Sequence, residues 1–132
     1  MKRRQFLQTS LAATVAASLP TSHALAAAMA TMSEVTGDVN AVTGSGAQVT
    51  LEKAAVKELS DRLRGRLLLP GHEGYDSARR VLNPVIDKHP ALIVQPTGAA
   101  DIMAAVTFAR ERDLLVAVKC GGHSFAGKST CE

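Results

Sequence analysis

Apolar positions along this chain follow a helical rhythm in some stretches and a strand-like one in others. Leu51, Ala55, Leu59 and Leu63, with Val56 beside them, recur at helical spacing. They predict a helix over 51–63, with Thr50 as its N-cap, Glu52 in the first turn where the helix dipole favours an acid, and Gly65 as its stop. Arg66-Leu67-Leu68-Leu69-Pro70 reads as a short extended segment that turns through Gly71 and Gly74. Asp76 can cap a brief helix over 77–82, and Pro84 disfavours helical geometry at Asn83.

The clearest strand is Ala91-Leu92-Ile93-Val94-Gln95, fenced by Pro90 and Pro96. A helix then starts at Thr97 or Gly98 and runs to about Arg112. Ile102, Ala105, Val106 and Ala109 line one face; Asp101 lies early, Arg110 and Arg112 late. Asp113 turns the chain into a second strand over 114–119. A strand, a helix of about four turns and another strand predict a parallel βαβ unit with right-handed crossover.

The segment 27–49 shows no sustained apolar period and carries Gly37, Gly44, Ser45 and Gly46, which predicts a flexible leader. Order is expected from residue 50 to residue 132. The first 26 residues follow another logic. Lys2, Arg3 and Arg4 precede an alanine-rich run without charge, and Ala24-Leu25-Ala26 offers a small-residue cleavage site. Basic start, apolar middle and small-residue exit predict a bacterial export signal, and adjacent arginines point to the Tat route and a periplasmic or secreted protein. The apolar run is too short and mild for a spanning helix, although an uncleaved N-terminal anchor is an alternative.

Charge changes the picture once that segment is set aside. The chain has 15 basic and 12 acidic residues, and residues 1–26 hold three of the bases and none of the acids. The remainder is neutral, and only Tyr75, Phe108 and Phe125 are aromatic beyond the signal. Nothing here suits nucleic acid, which asks for a basic face and stacking rings. The apolar share of 46% and charged share of 20% fit a globular domain rather than a disordered chain. Both cysteines, Cys120 and Cys131, fall near the end, too few to form a disulfide framework.

Candidate chemistry gathers in Val116-Ala117-Val118-Lys119-Cys120-Gly121-Gly122-His123-Ser124-Phe125-Ala126-Gly127. An apolar run stops at a lysine and meets a glycine turn, whose successive N–H groups can form a concave nest for an anion. His123 then leaves a strand end, where ligands of open α/β sheets collect. A structural histidine after a Gly-Gly turn reads equally well. Cys120, His123 and Cys131 could instead be three metal ligands, but their spacing matches no usual zinc site. A Cys120 thiol activated by His123 lacks an evident orienting acid, and Ser124 lies in no nucleophile elbow. His72 and His89 read as turn residues.

This motif, with Pro90-Ala91-Leu92-Ile93-Val94, Asp101-Ile102 and the lead-in Tyr75-Asp76-Ser77-Ala78-Arg79-Arg80, resembles the start of the FAD-binding domain of the vanillyl-alcohol-oxidase/PCMH flavoprotein superfamily. It is most similar to the berberine-bridge-enzyme-like oxidases. The resemblance spans 51–132 and implies an α+β fold: the N-terminal, βαβ-containing part of a PCMH-type FAD-binding domain. It implies FAD as cofactor, with His123 matching the histidine that many members bond to the flavin 8α-methyl group. Cys120, Gly121, Gly122, Ser124 and Phe125 would wrap the pyrophosphate, and Gly127 would keep the next turn close. Lys119 stands where the family often has arginine. The whole enzyme would pass a hydride from a small-molecule substrate to flavin N5 and return electrons to an acceptor such as oxygen. Its catalytic residues are expected beyond Glu132. A truncated flavin-binding fragment without catalysis is the alternative, and a Cys/His metal module a weaker one.

Overall fold

The computed structural model describes residues 34–132. The export signal expected over 1–26 lies outside the described residues.

The first ordered element falls where a flexible leader is expected. β1 (Val39–Val42) and β2 (Gln48–Leu51) form an antiparallel hairpin with Val39 opposite Leu51 and Ala41 opposite Val49. Those four residues share the inward face, and Ala41 and Leu51 are buried. Asn40 and Thr50 face outward and bond to each other, Thr50 Oγ1 donating to Asn40 Oδ1 at 3.1 Å. The residues read as linker, Thr43, Gly44, Ser45 and Gly46, are the hairpin turn. The Gly46 N–H donates to the Thr43 carbonyl at 2.9 Å, and the Thr43 hydroxyl takes the Ala47 N–H at 3.0 Å. Two alternating apolar pairs were too short a signal against so polar a turn.

α1 (Lys53–Arg62) follows directly. Thr50 belongs to β2 rather than capping the helix. Glu52 occupies the cap position without a side-chain bond, and Asp38, from the other end of the hairpin, accepts the Lys53 N–H at 2.8 Å. The expected apolar stripe forms: Val56, Leu59 and Leu63 are buried. β3 (Arg66–Leu68) then pairs antiparallel with β4 (Ile93–Gln95), Leu67 opposite Val94. Between them lies α2 (Tyr75–Arg79), two residues earlier than expected and started by Gly74 rather than Asp76. The Tyr75 hydroxyl donates to the Pro90 carbonyl at 2.7 Å, joining α2 to the run into β4. Burial raises the Tyr75 pKa.

α3 (Ala99–Glu111) matches the expected span, and Ala109 is buried as expected, but the rest of its buried face is different. Asp101 is 1% exposed, while Ile102, Met103 and Val106 stay open to solvent. The Asp101 carboxylate accepts the Arg64 N–H at 2.9 Å, the Gly65 N–H at 3.0 Å, the Thr97 N–H at 2.8 Å and the Thr97 hydroxyl at 3.0 Å. Ionised oxygens with that many donors are strong acceptors, which draws Asp101 inward and brings Ala104 and Phe108 to the core face. Those donors hold its carboxyl pKa down to about 2, the Arg64 N–H contributing most. Gly65 belongs to this knot rather than to a helix stop. A Cβ there would meet the Gln95 carbonyl oxygen at 2.1 Å.

One core results, built from Val35, Ala41, Leu51, Val56, Leu59, Leu63, Leu67, Leu69 and Phe108. α1 and α3 pack together, and the Arg112 guanidinium lies 4.0 Å from the centre of the Phe108 ring. The architecture of the described residues is mixed, helices with two small antiparallel sheets.

The expected parallel βαβ unit is absent among the described residues. Asp113 takes a positive φ of 50° and sends the chain back onto the hairpin end rather than beside β4. The Gly44 N–H reaches the Asp113 carbonyl at 2.7 Å, the Leu115 N–H reaches the Val42 carbonyl at 2.9 Å, and Thr43 forms a single antiparallel bridge with Leu114. Residues 115–119 carry no strand ladder. No helix among the described residues is long and apolar enough to cross a membrane.

Candidate functional site

The glycine-histidine segment lies on the irregular run after α3, so local turns and cross-contacts, not a sheet edge, give it shape. The Gly122 N–H closes a turn onto the Lys119 carbonyl at 3.0 Å. Cys120 and Gly122 take φ of 29° and 68°, while Gly121 between them does not enter the left-handed region. The positive φ values bend the chain sharply, and the Gly121 and His123 N–H groups on either side of the bonded Gly122 amide are left open, donors of the kind an anion can take. Cys120 holds that conformation despite its Cβ, a costly geometry for a residue with a side chain. Among the described residues the N–H groups of Gly121, His123, Ser124, Phe125 and Ala126 meet no acceptor.

The His123 ring folds back over the turn. A Cβ at Gly121 would lie 2.7 Å from its Cε1 and 2.8 Å from its Nδ1, so only glycine leaves room for this ring position. His123 is exposed, Ser124 half-buried and Gly122 buried. Ser124 shapes the second turn: its carbonyl accepts the Gly127 N–H at 3.0 Å and its hydroxyl the Lys128 N–H at 3.1 Å. Gly127 has a φ of 74° and sits against Ile86, whose Cγ2 would be 2.9 Å from a Cβ. Phe125 is 81% exposed.

The remaining expected site residues behave differently. Lys119 points its ammonium at the Ala78 carbonyl of α2, so its charge fastens the turn to the fold instead of facing the open amides. Cys120 and Cys131 are free thiols, and burial raises the Cys131 pKa. Cys120, His123 and Cys131 do not come together as a metal-binding group; among the described residues no three His, Cys, Asp or Glu side chains do. His72 serves its own turn, Nδ1 accepting the Leu69 N–H at 3.1 Å. A groove of about 540 Å³ lies nearby, between the hairpin and residues 115–117 and 128–132, but none of the expected cofactor residues lines it.

Residue-type reasoning missed the segment that carries the motif. The Leu82 N–H donates to the Gly122 carbonyl at 3.0 Å, and Asn83 Nδ2 donates to the Phe125 carbonyl at 3.0 Å. The Asn83-Pro84 pair was a signal, since Asn before Pro marks a turn in which the side chain bonds the backbone. Arg79 steadies the same region through Asp76, Asp87 and the Lys88 carbonyl. Its guanidinium lowers the Asp87 pKa.

Comparison with known proteins points the same way. The chain is 36% identical over 78 residues to an FAD-linked oxidoreductase of Dictyostelium discoideum, covering 58% of this chain and 17% of that protein. It is 32% identical over 65 residues to an uncharacterized FAD-linked oxidoreductase of Bacillus subtilis, covering 49% and 14%. It is 40% identical over 45 residues to a VAO-type flavoprotein oxidase of Thermothelomyces thermophilus, covering 34% and 8%. No family model matches the chain. These partial similarities support an FAD-dependent oxidoreductase family. The chain spans about a sixth or less of the length of these relatives.

The residues present fit such a cofactor. Amides that meet no acceptor among the described residues suit an anionic pyrophosphate, and the bare Gly121 Cα seats a histidine ring beside them.

Proposed function

We propose that this core, hairpin included, and the run after it are the N-terminal part of a PCMH-type FAD-binding domain, from an exported FAD-linked oxidase of the berberine-bridge-enzyme-like kind. The observation that carries this reading is the turn at 120–123, which holds open N–H groups and an exposed imidazole together. The turn amides take the diphosphate linker, and His123 is the attachment point for the flavin. Lys119 contributes by holding the turn on α2. FAD, when bound, supplies hydride acceptance from a substrate carbon, with electrons passed on to an acceptor such as oxygen. The substrate-binding and catalytic groups of the whole enzyme lie outside this chain on this reading.

The paired arginines and alanine-rich run at the start support Tat export to the periplasm, a route suited to a protein that folds around its cofactor first. Titration of the protein with FAD, followed by quenching of flavin fluorescence, tests the reading. Saturable binding is expected, with no comparable response to zinc. Zinc binding without flavin binding contradicts it.

A further inference from the structure

Two peptide groups of the turn are held by their carbonyls. The Gly122 carbonyl accepts the Leu82 N–H, and the Phe125 carbonyl accepts Asn83 Nδ2, both at 3.0 Å. No peptide bond among the described residues is cis. In a planar trans peptide the C=O and the N–H of the next residue point in opposite directions. Fixing the Gly122 and Phe125 oxygens toward the 82–86 loop therefore aims the His123 and Ala126 N–H groups away from it. Those two N–H groups have no acceptor among the described residues. Asn83 is itself held, because its Oδ1 accepts the Val85 N–H at 3.2 Å. One side chain thus fixes its own loop with one atom and the turn with the other.

We propose that Asn83 is a positioning residue for the cofactor: through the Phe125 carbonyl it presents the Ala126 N–H to the anionic linker, as the Leu82 N–H does for His123. The inference rests on the flavin-binding reading and adds a residue outside the motif to it. Asn83 touches no cofactor atom in this role. Its effect is preorganisation, which spares the turn an ordering cost on binding.

The test uses the full chain with Asn83→Asp and Asn83→Ala. Aspartate keeps the acceptor for the Val85 N–H but loses the donor to the Phe125 carbonyl; alanine loses both. Two readouts are taken on protein prepared free of flavin, amide hydrogen exchange without ligand and the dissociation constant of the initial, non-covalent FAD complex by fluorescence. Both variants are expected to speed exchange at Gly127 and Lys128 while leaving Gly122 unchanged, and to weaken FAD binding about tenfold at an unaltered melting temperature. Unchanged exchange overturns the proposal, and so does faster exchange with undiminished FAD affinity. If the unsubstituted chain binds no FAD, the flavin reading falls on its own. The exchange data then still decide whether Asn83 anchors the turn.

Discussion

Residues 34–112 and residues 113–132 are built on different terms. In the first region nearly every element places apolar side chains in a shared core: Ala41 and Leu51 from the hairpin, Val56 and Leu59 from α1, Leu67 from β3 and Phe108 from α3. In the second, Leu115, Val116, Val118 and Phe125 are 41% to 81% exposed, and the chain is held by hydrogen bonds to the hairpin, to α2 and to the loop at 82–83. The contrast teaches that an apolar run is a strand only when an edge is there to receive it. It also separates the core, which the first region carries, from the open amides, which lie in the second.

That separation can be broken by substitution. Leu59→Ala, in the core, is expected to cost about 2–5 kcal/mol in urea denaturation. Asp101→Asn comes next, because an amide cannot take the donors of Arg64, Gly65 and Thr97 with two ionised oxygens. Its signature is in the pH dependence. The Asp101 pKa is lowered when folded, so the carboxylate stabilises the fold above its unfolded value and loses that effect as pH falls from about 4 to about 2. The variant should have a lower urea midpoint at pH 7 and lack this part of the acid transition.

Gly127→Ala sharpens the comparison at the border between the regions. A Cβ at positive φ and against Ile86 should cost about 1–2 kcal/mol, less than the core change despite the clash. Val118→Asp is the smallest. Val118 is 75% exposed, so its denaturation midpoint should stay within about 0.5 kcal/mol of the parent's, and a larger loss would show that this run is buried in solution.

Much of the first region was legible in advance. The helical stripe of Ala55, Val56, Leu59 and Leu63 holds, although Leu51 falls in β2, and the strand expected over 91–95 between Pro90 and Pro96 forms as the shorter Ile93–Gln95. Three things were not legible, for separate reasons. The hairpin is too short for its alternation to outweigh the polar turn. The rotation of α3 is set by donors from residues 64, 65 and 97, so Ile102 and Val106 look like core only if Asp101 is taken as a surface acid. The strand pattern at 114–119 is real in sequence but meets the hairpin end instead of β4. At the site, the glycine-histidine motif named the turn but not Asn83, whose link to Phe125 spans 42 residues. The motif also left Lys119 with a charge for the cofactor that the fold uses elsewhere.

The most direct test of the central claim, that the 120–123 turn with His123 is a flavin site, is acid precipitation of protein expressed with flavin available. The yellow chromophore and the mass of FAD are expected to stay with the polypeptide, and His123→Ala is expected to release both while leaving the urea midpoint unchanged. Flavin that stays attached to the alanine variant would contradict the assignment of His123.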